Sequence, residues 1–171
     1  LYSFTRQGSA WINHSWLGQV VFYLIFARFS LPGVMEFVAL IAALAVYFIY
    51  KTMSGPILLN AFILVLTVAI SAVIWTPRPQ LFTFLFLAFE QYLLYRFQKS
   101  TTNTTFIVIL IMFFVWSNLH AGFSLGIIFL VLWYVGKVFD RVFDQDIQFA
   151  IQKDDIYWIG LLLLSSLVVM I

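Results

Sequence analysis

The sequence contains no cysteine, which excludes a disulfide frame, a thiol nucleophile and a thiolate-held metal. Charge is nearly as scarce. Nine Lys and Arg face seven Asp and Glu in 171 residues, a formal net charge of +2 that is too small to point to nucleic acid. Also missing is the polar/apolar alternation of a membrane barrel strand, since residues 37–50 and 57–75 run almost unbroken in apolar side chains. What remains is abundant: 64% of residues are hydrophobic and 20% aromatic, with a mean hydropathy of +1.03. A water-soluble domain of this size cannot hide that much apolar surface, so lipid is the main solvent. Only helices and closed barrels satisfy their backbone hydrogen bonds in hydrocarbon. The chain is therefore read as a single all-α, polytopic transmembrane helix bundle over residues 1–171.

Punctuation by proline, glycine and polar clusters divides the bundle. Residues 1–15 form a polar loop. Residues 16–29 are helical in pattern, but at ~1.5 Å per residue they reach only about 21 Å, short of a hydrocarbon core of roughly 30 Å. With Arg28 near their end and Leu31-Pro32-Gly33 following, they fit an interfacial helix. Residues 33–50 make the first clear span, and Pro56 suits the first turn of the next, 57–75. Pro77 and Pro79 bias the residues before them away from helix. Spans are then expected over 80–97, 106–116 (short), 123–138 and from 156 onward, about six in all beside the interfacial helix. Residues 140–155, the only strongly charged stretch, read as a helix extension and surface loop without calcium-loop spacing. The chain opens on Leu1 and stops at Ile171 inside an apolar run, and it is read as an internal piece truncated at both ends.

With alternate connections on opposite sides, one side holds Lys51, Arg96, Lys99, Lys137, Arg141 and Lys153. The other holds Arg6, Arg28 and Arg78. The positive-inside rule makes the first side cytoplasmic. Trp11, Trp16, Trp75 and Trp116 are expected in the outer aromatic belt, and Trp133 and Trp158 in the inner one. The outer face then gathers His14, Trp16, Arg28, Arg78, Gln80, Trp116, Asn118 and His120. Arginine suits bidentate capture of phosphate, and indole faces stack on sugars at headgroup level. Each residue also has a plainer reading, because Trp, Arg and His anchor helix ends without any ligand. Two histidines make a poor metal site without a carboxylate, so no metal is expected.

Two acidic residues fall inside spans, where an ionisable group is a functional suspect by default. Glu36 lies within a turn of the outer end and could pair with Arg28 or Arg78. Glu90 lies deeper, and is expected to be neutral, or hydrogen-bonded to Gln91 or a neighbouring helix, rather than a proton carrier.

Three motifs carry a resemblance. Ser3-Phe4-Thr5, Gly8, Trp11 and Asn13-His14-Ser15-Trp16-Leu17 precede the interfacial helix; Arg78-Pro79-Gln80-Leu81-Phe82 follows the second span; Trp116-Ser117-Asn118-Leu119-His120-Ala121-Gly122 precedes another. As a set they resemble GT-C membrane glycosyltransferases, nearest to bacterial proteins related to protein O-mannosyltransferases and lipid A aminoarabinose transferases. The resemblance implies a bacterial inner (plasma) membrane protein that transfers sugar from a polyprenyl-phosphate carrier at the exoplasmic face, with no cofactor. It implies donor-phosphate contacts for His14 and Arg78, with Gln80, Asn118, His120, Trp16 and Trp116 in the same binding region and Arg28 and Glu36 as secondary candidates. It also implies a catalytic carboxylate in the first outer loop. No acidic residue precedes Glu36, so that group is expected upstream of Leu1. Two other readings stay open: a non-catalytic membrane subunit or scaffold, and a transporter of a lipid-linked or anionic solute.

Overall fold

The computed structural model describes residues 15–99, 103–143 and 160. Outside them lie the polar loop through His14, with Arg6 and Trp11, and most of the charged 140–155 stretch. The span expected from 156 onward, with Lys153 and Trp158, lies outside them too. Every described element is helical, with no strand among the described residues: α1 (Trp16–Thr52), α2 (Ile57–Ser71, prolonged by a 3-10 turn over Ala72–Ile74), α3 (Gln80–Lys99), α4 (Asn103–Leu119) and α5 (Phe123–Phe143).

Three of these helical stretches, Trp16–Thr52, Ile57–Ile74 and Phe123–Asp140, are long and apolar enough to cross a membrane, which marks a membrane protein. Exposure agrees. No residue of α2 is buried, and Ile57, Leu58 and Val73 are 82–83% exposed, a surface suited to lipid rather than water.

The break expected near Pro32 is present as a kink. Ser30 takes φ 56°, ψ −164° inside α1, a region that L side chains other than glycine rarely enter. Pro32 explains the position, because its ring lacks an N–H and clashes with the carbonyl one turn back. Gly33 completes the bend: a Cβ there would overlap the Phe29 side chain. A triangle of rings then fixes the angle. Phe22 before the kink meets Phe37 after it at 5.8 Å, and both meet Phe82 of α3, at 5.6 and 6.2 Å.

Beyond the kink, Val34, Val38, Ile41, Ala42 and Ala45 are buried at helical spacing, one stripe of α1. Helix α3 is the hub, packing on α1, α4 and α5. Its Leu93 and Leu94 join Ile109, Met112, Phe113 and Trp116 of α4 and Leu130 of α5 in the main core cluster. Small residues let backbones approach where lipid supplies no hydrophobic drive, and Ala42, Ala45 and Ala88 are 0–4% exposed.

Ring contacts give the directions. Phe48 of α1 meets Phe89 and Tyr92 of α3, and Phe97 of α3 meets Trp133 of α5, so these three helices end together. Lys51, Arg96 and Lys137 gather there, each 5.9–6.0 Å from the centre of an aromatic ring one turn earlier. The opposite end of the bundle is the polar one.

Candidate functional site

Three chain segments meet at the polar end because glycine lets them. Gly18, in the first turn of α1, is buried. A Cβ added to it would stand 2.8 Å from the Leu119 carbonyl oxygen and 3.3 Å from Pro79 Cβ. The start of α1, the turn before α3 and the end of α4 therefore touch. Hydrogen bonds carry the contact outward: Trp16 Nε1 donates to Asn118 Oδ1 at 3.2 Å, and Asn118 Nδ2 donates to the Phe114 carbonyl at 2.9 Å. With both ends of its amide engaged, Asn118 is fixed rather than free.

Deeper in, a second set of bonds centres on Thr83. Its hydroxyl lies 2.7 Å from His120 Nδ1 and accepts from Trp116 Nε1 at 3.2 Å. The Gly122 N–H also donates to His120 Nδ1, at 3.0 Å. Two donors on Nδ1 make it the acceptor nitrogen, which leaves the proton on Nε2. Partial burial pushes the His120 pKa below its ordinary 6.5, in keeping with a neutral ring. A Cβ on Gly122 would overlap the Thr83 hydroxyl and come 2.7 Å from His120 Nδ1, so only glycine permits this turn between α4 and α5.

The turn before α3 is compact. Arg78 N–H donates to the Thr76 carbonyl at 2.7 Å, and the Arg78 and Pro79 carbonyls accept from Leu81 and Phe82 at 3.0 and 3.1 Å. Arg78 itself is exposed and Gln80 half-buried. In the same turn, Trp75 Nε1 and the Thr76 hydroxyl are buried without a hydrogen-bond partner among the described residues. The turn thus exposes one guanidinium, a group suited to an anion, above two donors that lie beneath the surface, Trp75 packing against the Val38, Ile41 and Leu81 cluster.

Of the candidate residues, Trp16, Trp116, Asn118 and His120 belong to this connected cluster, and Arg78 and Gln80 sit on the adjoining turn. His14 lies outside the described residues. Arg28 and Glu36 are exposed on either side of the α1 kink, and no ion pair joins Glu36 to Arg28 or Arg78. Trp116 differs from the belt expectation. It is 0% exposed, with its ring stacked on Phe86 at 5.6 Å and Phe113 at 5.7 Å, so neither ring face is open to a ligand. Thr83 is the residue that sequence reasoning missed. Its signal was a lone hydroxyl in the apolar run from Leu81 to Phe89. Among the described residues no group of three His, Asp or Glu could hold a metal.

No family model, no curated protein and no solved structure matches the chain.

Proposed function

We propose that the polar end is the lipid-phosphate site of a GT-C-like membrane glycosyltransferase that takes sugar from a polyprenyl-phosphate donor at the exoplasmic face. The observation that supports it most is Arg78, an exposed guanidinium held on a compact hydrogen-bonded turn at the polar end, a group suited to bidentate capture of phosphate. In this reading the chain supplies about six spans and an interfacial helix formed by the part of α1 before Ser30. The basic ends of α1, α3 and α5 face the cytoplasm of a bacterial inner membrane.

Chemistry follows from the parts. Arg78 offsets charge on the leaving lipid phosphate. The acceptor hydroxyl displaces that phosphate at the anomeric carbon and loses its proton to the carboxylate base that the GT-C resemblance implies. His120, held neutral with Nε2–H as its remaining donor, orients the donor or acceptor by hydrogen bonding.

The test uses the protein in lipid nanodiscs with polyprenyl phosphate as the probe. Arg78→Ala should weaken binding about tenfold or more, the equivalent of about 1.4 kcal/mol. Its stability should stay within about 0.5 kcal/mol of wild type, as for an exposed side chain. Undiminished binding would remove Arg78 from the site. A transporter is the second reading, and the buried Glu90 is the observation that favours it.

A further inference from the structure

Glu90 stands midway along α3, about 15 Å from Gln80 at ~1.5 Å per residue. It is 0% exposed, and both carboxyl oxygens are buried without a hydrogen-bond partner among the described residues. Of the two expected states, a bond to Gln91 or a neighbouring helix is therefore not found among those residues. Placing a carboxyl group like this is among the costlier things a membrane bundle can do, because neither water nor a donor compensates the lost hydration.

The surroundings narrow what the group can bind. On α5, a Cβ added to Gly126 would lie 3.0 Å from Glu90 Oε2 and 2.9 Å from Trp116 Cη2, so carboxyl and indole press on the same patch of glycine backbone. Helix α4 carries no charged residue. The charged groups of α1 (Arg28, Glu36, Lys51) lie near its kink or at its end, and the described ones of α5 (Lys137, Asp140) in its last two turns; none of these is bonded to Glu90. A metal ion needs several oxygen or nitrogen ligands, and no such group of side chains occurs among the described residues. A proton needs only one.

Trp116 defines the approach. Its Nε1 end bonds Thr83, which bonds His120 at the polar end, while its six-membered ring reaches the Gly126–Glu90 contact. Thr83 and Glu90 lie seven residues apart on α3, two turns along one face. The indole therefore fills the step between an exchangeable imidazole–hydroxyl pair and the buried carboxyl.

We propose that Glu90 is a proton-binding site in the interior of the bundle, reached from the polar end and closed on that side by the Trp116 indole. Binding transfers a proton from hydronium to one carboxylate oxygen, forming an O–H bond and releasing water; release reverses it. The inference does not depend on the sugar-transfer reading.

The sequence supplies its own control, because Glu36 and Glu90 are the only glutamates. Protein carrying ¹³C at the glutamate carboxyl, in lipid nanodiscs, should give two carboxyl signals, assigned with Glu36→Gln, which leaves Glu90 untouched. The Glu90 signal should move with pH but equilibrate slowly after a pH jump, and Trp116→Phe should shorten that delay. A Glu90 signal that never moves while the protein stays folded would make it a fixed structural acid and overturn the proposal. A Glu90 signal that responds at once to the pH jump would show an open, hydrated carboxyl and overturn it equally. If Trp116→Phe does not fold, the wild-type titration alone decides between these outcomes.

Discussion

Replacing Thr83 with valine removes one hydroxyl and keeps the shape of the side chain. The hydroxyl does two jobs, accepting from Trp116 Nε1 at 3.2 Å and bonding His120 Nδ1 at 2.7 Å. Their losses are unequal. His120 Nδ1 keeps the Gly122 N–H at 3.0 Å, so that bond should cost only about 0.5–1.5 kcal/mol. Trp116 is 0% exposed, and its indole N–H would be stranded, at a penalty of about 1–3 kcal/mol. Thr83→Val should therefore destabilise the protein by about 2–4 kcal/mol, while Thr83→Ser, which keeps the hydroxyl, should cost about 1 kcal/mol for its lost methyl. The assay is reversible unfolding in mixed micelles, read by tryptophan fluorescence, run as a double-mutant cycle with Trp116→Phe. Since Trp116→Phe already removes the stranded donor, the pair should couple by about 1–2 kcal/mol. A Thr83→Val protein within about 0.5 kcal/mol of wild type, or a cycle with no coupling, would refute the bonded cluster.

Three further outcomes are expected. Ser30→Gly should stabilise by about 1 kcal/mol in the same unfolding assay, since relief of about 1–3 kcal/mol of backbone strain outweighs the ~0.5–1 kcal/mol of added chain entropy. Gly122→Ala should cost about 1–3 kcal/mol by overpacking and should shift the His120 imidazole resonances, which ¹⁵N spectra would show. Because burial lowers the His120 pKa below 6.5, the unfolded chain binds more protons there than the folded one. Stability should hold above pH 6.5 and fall as pH drops below it, toward the folded-state pKa. His120→Gln should flatten that slope in pH-dependent melting.

Much of the architecture was legible because breaks in a membrane helix are chemically loud. Pro32, Gly55-Pro56, Pro77 with Pro79, and Asn118 to Gly122 all fall at the kinks and turns of the structure. The all-helical class followed from hydropathy alone. Pairings distant in sequence were not legible. Thr83 and His120 are 37 residues apart, and nothing local distinguishes a threonine that caps an imidazole from one that bonds its own helix, as Thr67 does to Ile63. Trp116 misled for a related reason: a tryptophan near a helix end reads as a lipid-boundary anchor, and only packing on Phe86 and Phe113 shows it to be core. Glu90 was visible as an intramembrane carboxyl, but its lack of any partner depends on where α4 and α5 place their side chains. The positive φ at Ser30 has no local signal beyond the proline two residues later.

In the proposed orientation, the start of α1 and the turn after α4 form one polar surface that faces the cell exterior. A cysteine-free chain allows a direct test with Trp16→Cys and Asn118→Cys together. The native indole and amide bridge too long a reach for a direct disulfide, so a short flexible bis-maleimide would be applied to intact cells and to inverted vesicles. An intramolecular crosslink is expected, blocked when a membrane-impermeant thiol reagent is first added from outside. A crosslink blocked only from the cytoplasmic side, or two thiols that each react but never join, would contradict it.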